Sequence, residues 1–228
     1  MLTQLMRCVT TMDKRLITKY ISASLLGDGC LRTWNRCQNY AYSFKQVDRH
    51  ESYVKFLESV IHEITGCSIR HYGPSEKDGI NRQGYFCLES KVHPFFTTLY
   101  SRWYVDGRKT ISLHDLKQFD FEMLAMWYME DGYILNSQNK YHNGNVFLCT
   151  DCFSEAEVKI LQTIIYKSVD IAMDVIQRGY RKDGSRIYRL KAKNNQAIKF
   201  IKGVEPFIFD SYKYKLRTID SFKDDDIV

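Results

Sequence analysis

No run of about 18 apolar residues occurs in this chain of 228, and Met1-Leu-Thr-Gln-Leu-Met-Arg7 lacks an apolar stretch with a small-residue cleavage site. A helical membrane span and a secretory leader are therefore both unexpected. Three prolines and the want of any Gly/Ser-rich tract leave no flexible linker to mark a boundary. Seven cysteines, at 8, 30, 37, 67, 87, 149 and 152, form no regular framework, so the expectation is an intracellular reducing compartment. Cys149-Thr-Asp-Cys152 has no second Cys-x-x-Cys or His-x-His partner, which argues against zinc or redox chemistry and for a strand end with two buried thiols. The six histidines show no ligand spacing, and Gly-x-Gly-x-x-Gly and a Walker lysine are both missing.

What is present can fill a core: 44% of residues are hydrophobic. The net charge is +6, and residues 220–228 hold four acids against one lysine. Setting aside that segment's −3 leaves a body of +9, which suits a polyanionic partner.

The periodicity reads twice along the chain. Leu16, Ile17, Tyr20, Ile21, Leu25 and Leu26 recur at helical spacing after Asp13, a candidate N-cap. Strands follow at 31–34 and 40–47, the second alternating Tyr40, Tyr42 and Phe44 against Ala41, Ser43 and Lys45. A helix over 51–64 stopped by Gly66, strands at 67–72 and 85–91 and a helix over 94–104 complete the unit. The second half repeats the order: helix 121–130, strands 133–135 and 146–150, helix 154–166, strands 171–177 and 186–192, helix 196–204. Ser154 and Glu157 are spaced as a capping box. The predicted fold is α+β, two pseudo-symmetric αββαββ(α) repeats. The expected boundaries are a first repeat over 1–105, a connecting segment over 106–120, a second repeat over 121–217 and an acidic tail over 218–228.

Each repeat opens with a helix that ends on an acid and a glycine, Asp28-Gly29 and Asp131-Gly132. Asp-Gly is a common turn, yet an anion there opposes the helix dipole by about 0.3–1 kcal/mol. The small residues Ala23, Gly27 and Ala125 would let the two helices pack closely about a pseudo-twofold axis and bring Asp28 and Asp131 together. Like carboxylates held close call for a cation, and Mg²⁺ suits one or two carboxylates with phosphate oxygens and water. Two acids related by a twofold match the two strands of a duplex.

Ile21-Ser-Ala-Ser-Leu-Leu-Gly-Asp-Gly29 and Leu124-Ala-Met-Trp-Tyr-Met-Glu-Asp-Gly132 resemble the two motifs of the single-chain LAGLIDADG homing endonucleases. The resemblance covers about residues 13–216. It implies a saddle of antiparallel sheets with the motif helices at the interface, a monomer with internal pseudo-twofold symmetry, and Mg²⁺-dependent cleavage of both strands of a long asymmetric DNA site. Ca²⁺ is expected to support binding without cleavage. Carried over by position, the metal-binding acids are Asp28 and Asp131, with the carbonyls of Gly27 and Glu130 as backbone ligands. The family's basic residue near each scissile phosphate maps to Lys109 and Lys215, with Lys213 as rival to the latter. Leu26 and Met129 stand where the family name has its first Asp, and the bulk of Met126 and Glu130 opposite Ala23 and Gly27 predicts an asymmetric helix pair.

If helices cover one face of each sheet, the other strand parity meets the duplex. That leaves Ser43, Lys45, Tyr85, Glu89, Lys91, Arg189, Lys191 and Lys193 for base edges, and Arg70, Arg178 and Arg181 for phosphates. The rival reading is an RNA maturase, a splicing cofactor that grips intron RNA without cutting DNA.

Overall fold

Asp13 does cap the first helix: its side chain accepts from the Arg15 backbone N–H at 3.2 Å, and α1 runs Lys14–Leu26. In the computed structural model residues 12–34, 37–77, 79–135 and 144–216 are described, so the expected acidic tail falls outside them. The first repeat continues with β1 (Cys30–Arg32), β2 (Ala41–Val47), α2 (Glu51–His62), β3 (Cys67–Tyr72), a short hairpin β4 (Ser75–Lys77) and β5 (Ile80–Arg82), β6 (Tyr85–Ser90) and α3 (Pro94–Trp103). A tight hairpin, β7 (Tyr104–Val105) and β8 (Arg108–Lys109), leads toward the second repeat. That repeat is α4 (Phe121–Asp131), β9 (Gly132–Leu135), β10 (Asn145–Cys149), α5 (Glu155–Val169), β11 (Asp174–Tyr180), β12 (Arg186–Ala192) and α6 (Asn195–Val204).

The two four-stranded sheets share one order. The first is β1-β2-β6-β3 and the second β9-β10-β12-β11, with every pairing antiparallel. This is the α+β saddle that the motif pattern implied. On each sheet one parity packs against helices, through Tyr42, Phe44 and Leu88 in the first and Leu148 and Leu190 in the second. Each such side chain, fully withdrawn from water, contributes about 1.5–3 kcal/mol.

The α5 start shows the expected capping box, with Ser154 and Glu157 satisfying each other's backbone N–H. By contrast α2 stops at His62, ahead of Gly66, because Ile64 and Thr65 both turn back to bond the Ile61 carbonyl. Strand β11 begins three residues later than its apolar pattern suggested, since buried Ile171 and Met173 pack in the core before the ladder starts. Cys152 also departs from expectation: it reaches solvent, and Cys149 is only half-buried.

At the centre α4 is covered on all sides, every residue from Met123 to Glu130 being buried. A helix apolar all round belongs inside. Ala23 of α1 and Ala125 of α4 are both fully buried.

Candidate active site

Helices α1 and α4 run in the same direction, and the contacts between them carry the internal symmetry. Arg15 Nε donates to Oε1 of Gln118, in the turn just before α4, at 3.1 Å and Lys19 Nζ to Glu122 Oε2 at 2.5 Å, each joining residues 103 apart. Asp28 and Asp131 differ by the same 103 positions, so the packing that registers the helix starts also brings their acidic ends together.

Asp28 opens to solvent on one side and is crowded by protein on the others. Burial raises its pKa to about 6, with the negative charge of Asp131 adding to the rise and Lys215, Lys109 and a bond from Gln46 opposing it. That bond runs from Gln46 Nε2 to Asp28 Oδ2 at 3.1 Å. Burial likewise lifts Asp131, against the pull of Lys109 and Lys215. Asp28 thus feels the charge of Asp131, both carboxyls are disfavoured as anions by burial, and together they are a set of hard oxygen donors suited to a hard divalent cation.

Each lysine sits on one helix end. Lys109 Nζ donates to the Gly29 carbonyl at 2.7 Å and, more weakly, to that of Gly27 at 3.3 Å. Lys215 Nζ donates to the carbonyls of Met129 at 2.6 Å, Gly132 at 2.7 Å and Tyr128 at 3.2 Å. Gly29 and Gly132 are again symmetry mates, so the pair of cations offsets the unfavourable meeting of carboxylates and helix C-termini. Lys215 is held between the rings of Tyr128 and Tyr212, 5.8 and 5.6 Å from their centres. Burial lowers its pKa to about 8 even though Asp131 and Asp28 pull upward. Lys213 is exposed and pairs with Asp210 at 2.7 Å, so the structure brings Lys215 to the acids in its place.

Local sequence explains how the lysines arrive. Lys109 lies on β8 opposite Tyr104, across a two-residue loop in which Asp106 and Gly107 have φ of 50° and 74°. Positive φ at both centres is the demand of a tight hairpin, which Asp-Gly meets. Lys215 comes from a helical turn over Asp210–Leu216 and is anchored by its own carbonyl, which accepts from Tyr128 Oη at 2.9 Å.

Glu130 was expected through its carbonyl alone, but its side chain crosses between the helices. Oε2 accepts from the Asp28 backbone N–H at 2.8 Å and from Ser24 Oγ at 3.2 Å, and Oε1 from Tyr53 Oη at 2.6 Å. Gly27 makes room for it: a Cβ there would lie 2.6 Å from Glu130 Oε2.

The outer faces of the sheets hold most of the expected contact residues. Cross-strand register puts Lys45, Arg70, Tyr85 and Glu89 on one face of the first sheet and Arg189 and Lys191 on one face of the second. Ser43 shares that parity but is 2% exposed, which corrects the expectation of an open side chain: it sits mid-sheet between Cys30 and Glu89. Glu89 is engaged by Arg32 and Arg70. Arg189 grips Asp151 with two bonds, of 2.8 and 2.6 Å, and reaches Tyr133 Oη at 3.2 Å. Lys193 pairs with Asp174, exposed Arg178 sits at a bulge in β11, and exposed Lys91 lies past the end of β6.

Arg181 is spent elsewhere. Its five N–H donors meet the carbonyls of Asp151, Phe153 and Arg186 and the Ser185 hydroxyl, leaving none for a phosphate in this arrangement. Arg181→Ala should therefore lower stability by about 1–3 kcal/mol, read as a drop in thermal midpoint, with little change in duplex affinity. A large loss of affinity at unchanged stability would overturn this assignment.

Sequence reasoning missed Gln46, Asp151 and Tyr133. A signal existed for Gln46, the one polar residue on the apolar parity of Tyr42 and Phe44. A cavity of about 850 Å³ lies between the start of α1, α3 and residues 114–118, at the opposite end of α1 from Asp28. Asp28 itself is exposed and Asp131 half-buried.

Residues 19–200 match the model of the LAGLIDADG DNA endonuclease family. Among curated proteins the chain is 24% identical to the cytochrome b mRNA maturase bI2 of Debaryomyces hansenii, over 90% of this chain and 74% of that protein. It is 23% identical to the DNA endonuclease I-ChuI of Chlamydomonas applanata, over 86% and 92%. Among solved structures it resembles the homing endonuclease I-WcaI bound to its DNA recognition sequence, with a TM-score of 0.71 and 18% identity over 89% of this chain and 86% of that one.

Proposed function

Given that the chain belongs to the LAGLIDADG DNA endonuclease family, we propose that it is a site-specific, divalent-metal-dependent endonuclease that hydrolyses one phosphodiester bond on each strand of a long asymmetric duplex. The observation that carries this reading is the pair Asp28 and Asp131 at adjoining helix ends, each helix end bearing its own lysine.

Asp28 and Asp131 would hold the metal, Mg²⁺ in the cell, with the Gly27 and Glu130 carbonyls as accompanying donors. When bound, the ion supplies Lewis acidity toward water and phosphate. Lys109 and Lys215 stand where they can steady phosphate charge or orient the attacking water, and Lys215, near pKa 8, can exchange a proton close to neutral pH. The water oxygen bonds to phosphorus, the bridging P–O bond breaks, and a proton passes to the departing oxygen. The outer sheet faces, with Lys45, Arg70, Tyr85, Arg189 and Lys191, would track the grooves.

The Asp28 shift gives a pH test. A carboxyl that titrates near 6 when folded, against 3.8 ordinarily, favours the protonated form in the metal-free protein. Stability without metal should fall as pH rises from about 4 to 6, and added Mg²⁺ should restore it above 6. Cleavage should decline about tenfold per unit below pH 6, because protons compete with metal for the same oxygens. Melting curves with chelator and with Mg²⁺ at pH 5 and 7 check the sign; a metal-free protein more stable at pH 7 would contradict it. The reading as a whole is tested by incubating the protein with Mg²⁺ and a library of long duplexes and sequencing the cut ends. A second reading, an RNA maturase, draws support from the likeness to bI2, and the same preparation can be assayed for intron splicing.

A further inference from the structure

We infer that the Glu130 carboxyl is a positioning residue that holds Asp28 in place from the opposite repeat, so that the two cutting centres are unequal and the two strands are cut at different rates. This rests on the nuclease reading for the strands, but not for the clamp itself.

The two motif helices do not end alike. Helix α4 runs through Asp131, so that acid is fixed as the last helical residue. Helix α1 stops at Leu26, two residues short of Asp28, and the N–H groups of Gly27 and Gly29 both turn back to the Ser24 carbonyl. The Asp28 N–H between them points away from its own helix, and its acceptor is Glu130 Oε2, at 2.8 Å.

Three donors converge on the two oxygens of Glu130, and a fourth group backs them: Ser24 Oγ lies 2.6 Å from Tyr42 Oη. Such a buried, satisfied network fixes its members in one arrangement. Half two holds no copy of it. The offset of 103 puts Trp127 where half one has Ser24, and Gly27 where half two has Glu130. The clamp therefore acts in one direction only, from half two onto the acid of half one.

Glu130→Gln tests the idea while preserving volume. An amide offers one acceptor oxygen, and its NH2 would face a donor, so the three donors cannot all be satisfied. Two readouts are needed, on metal-free and metal-loaded protein. In the first, hydrogen exchange of the Asp28 amide should speed up by about tenfold, the loss expected when one buried hydrogen bond is left unmade. In the second, cleavage of a supercoiled plasmid carrying the target should stall at the nicked circle in Glu130→Gln, while the parent proceeds to linear product. Melting of the variant under the same conditions shows that it is folded. An Asp28 amide that exchanges as in the parent would sink the clamp. Faster exchange with both strands slowed equally would leave Glu130 a purely structural group and overturn the strand-order claim. A parent that cut neither strand would remove the nuclease reading and strand order together, with amide exchange still deciding the clamp.

Discussion

Asp28→Asn and Asp131→Asn, made singly, should each lower double-strand cleavage in Mg²⁺ by at least about 10³-fold, since each removes a charge whose Lewis-acid partner is worth several kcal/mol to the transition state. Binding of duplex in Ca²⁺ should change by no more than about threefold, because the contact surface is untouched. Stability separates inactivity from misfolding. Both acids are raised by burial and Asp28 also by its neighbour's charge, so a neutral Asn at either position relieves an unfavourable meeting. The metal-free variants should melt at or above the parent's midpoint, in the familiar exchange of stability for function. Mg²⁺-dependent cutting of both strands by both variants would reject the assignment.

Duplex affinity should fall by about 10³ or more between roughly 50 and 200 mM salt if the outer sheet faces make on the order of six or more phosphate contacts. The candidates are cations on those faces and at their edges, Lys45, Arg70, Arg178 and Lys191, within a body that carries most of the chain's positive charge. Removing one phosphate-contacting cation should reduce the slope of log affinity against log salt by about 1, whereas loss of a base contact should leave the slope and alter sequence preference. Titrations of labelled duplex at several salt concentrations measure both. A flat dependence would remove these faces as the binding surface.

Much of this was legible in residue order. Helices α1, α3, α4 and α6 and strand β12 fall within a residue or two of their periodic patterns, because alternating or helical spacing reports burial directly. The acids were legible as a pair since their setting is locally unfavourable twice over. Lys109 and Lys215 followed from a resemblance, not from periodicity. The Val105-Asp-Gly-Arg108 loop that delivers Lys109 carries a hairpin signature that was open to reading. What could not be read is the network across the helix pair. Glu130, Tyr53 and Ser24 meet from three separate segments, and no local pattern encodes a contact whose partners lie 77 and 106 residues apart. The carbonyl contacts of Arg181 were hidden for a related reason: a guanidinium looks the same in sequence whether it faces solvent or clips three carbonyls.

The fit of Glu130 into the space left by Gly27 also settles how interchangeable the halves are. A dimer built from two copies of half two would drive a pair of glutamates into one another at the axis. One built from two copies of half one would face glycine to glycine over a void, with both Asp28 amides bereft of an acceptor. The repeats have diverged past the point of substitution, and each now serves only as the complement of the other.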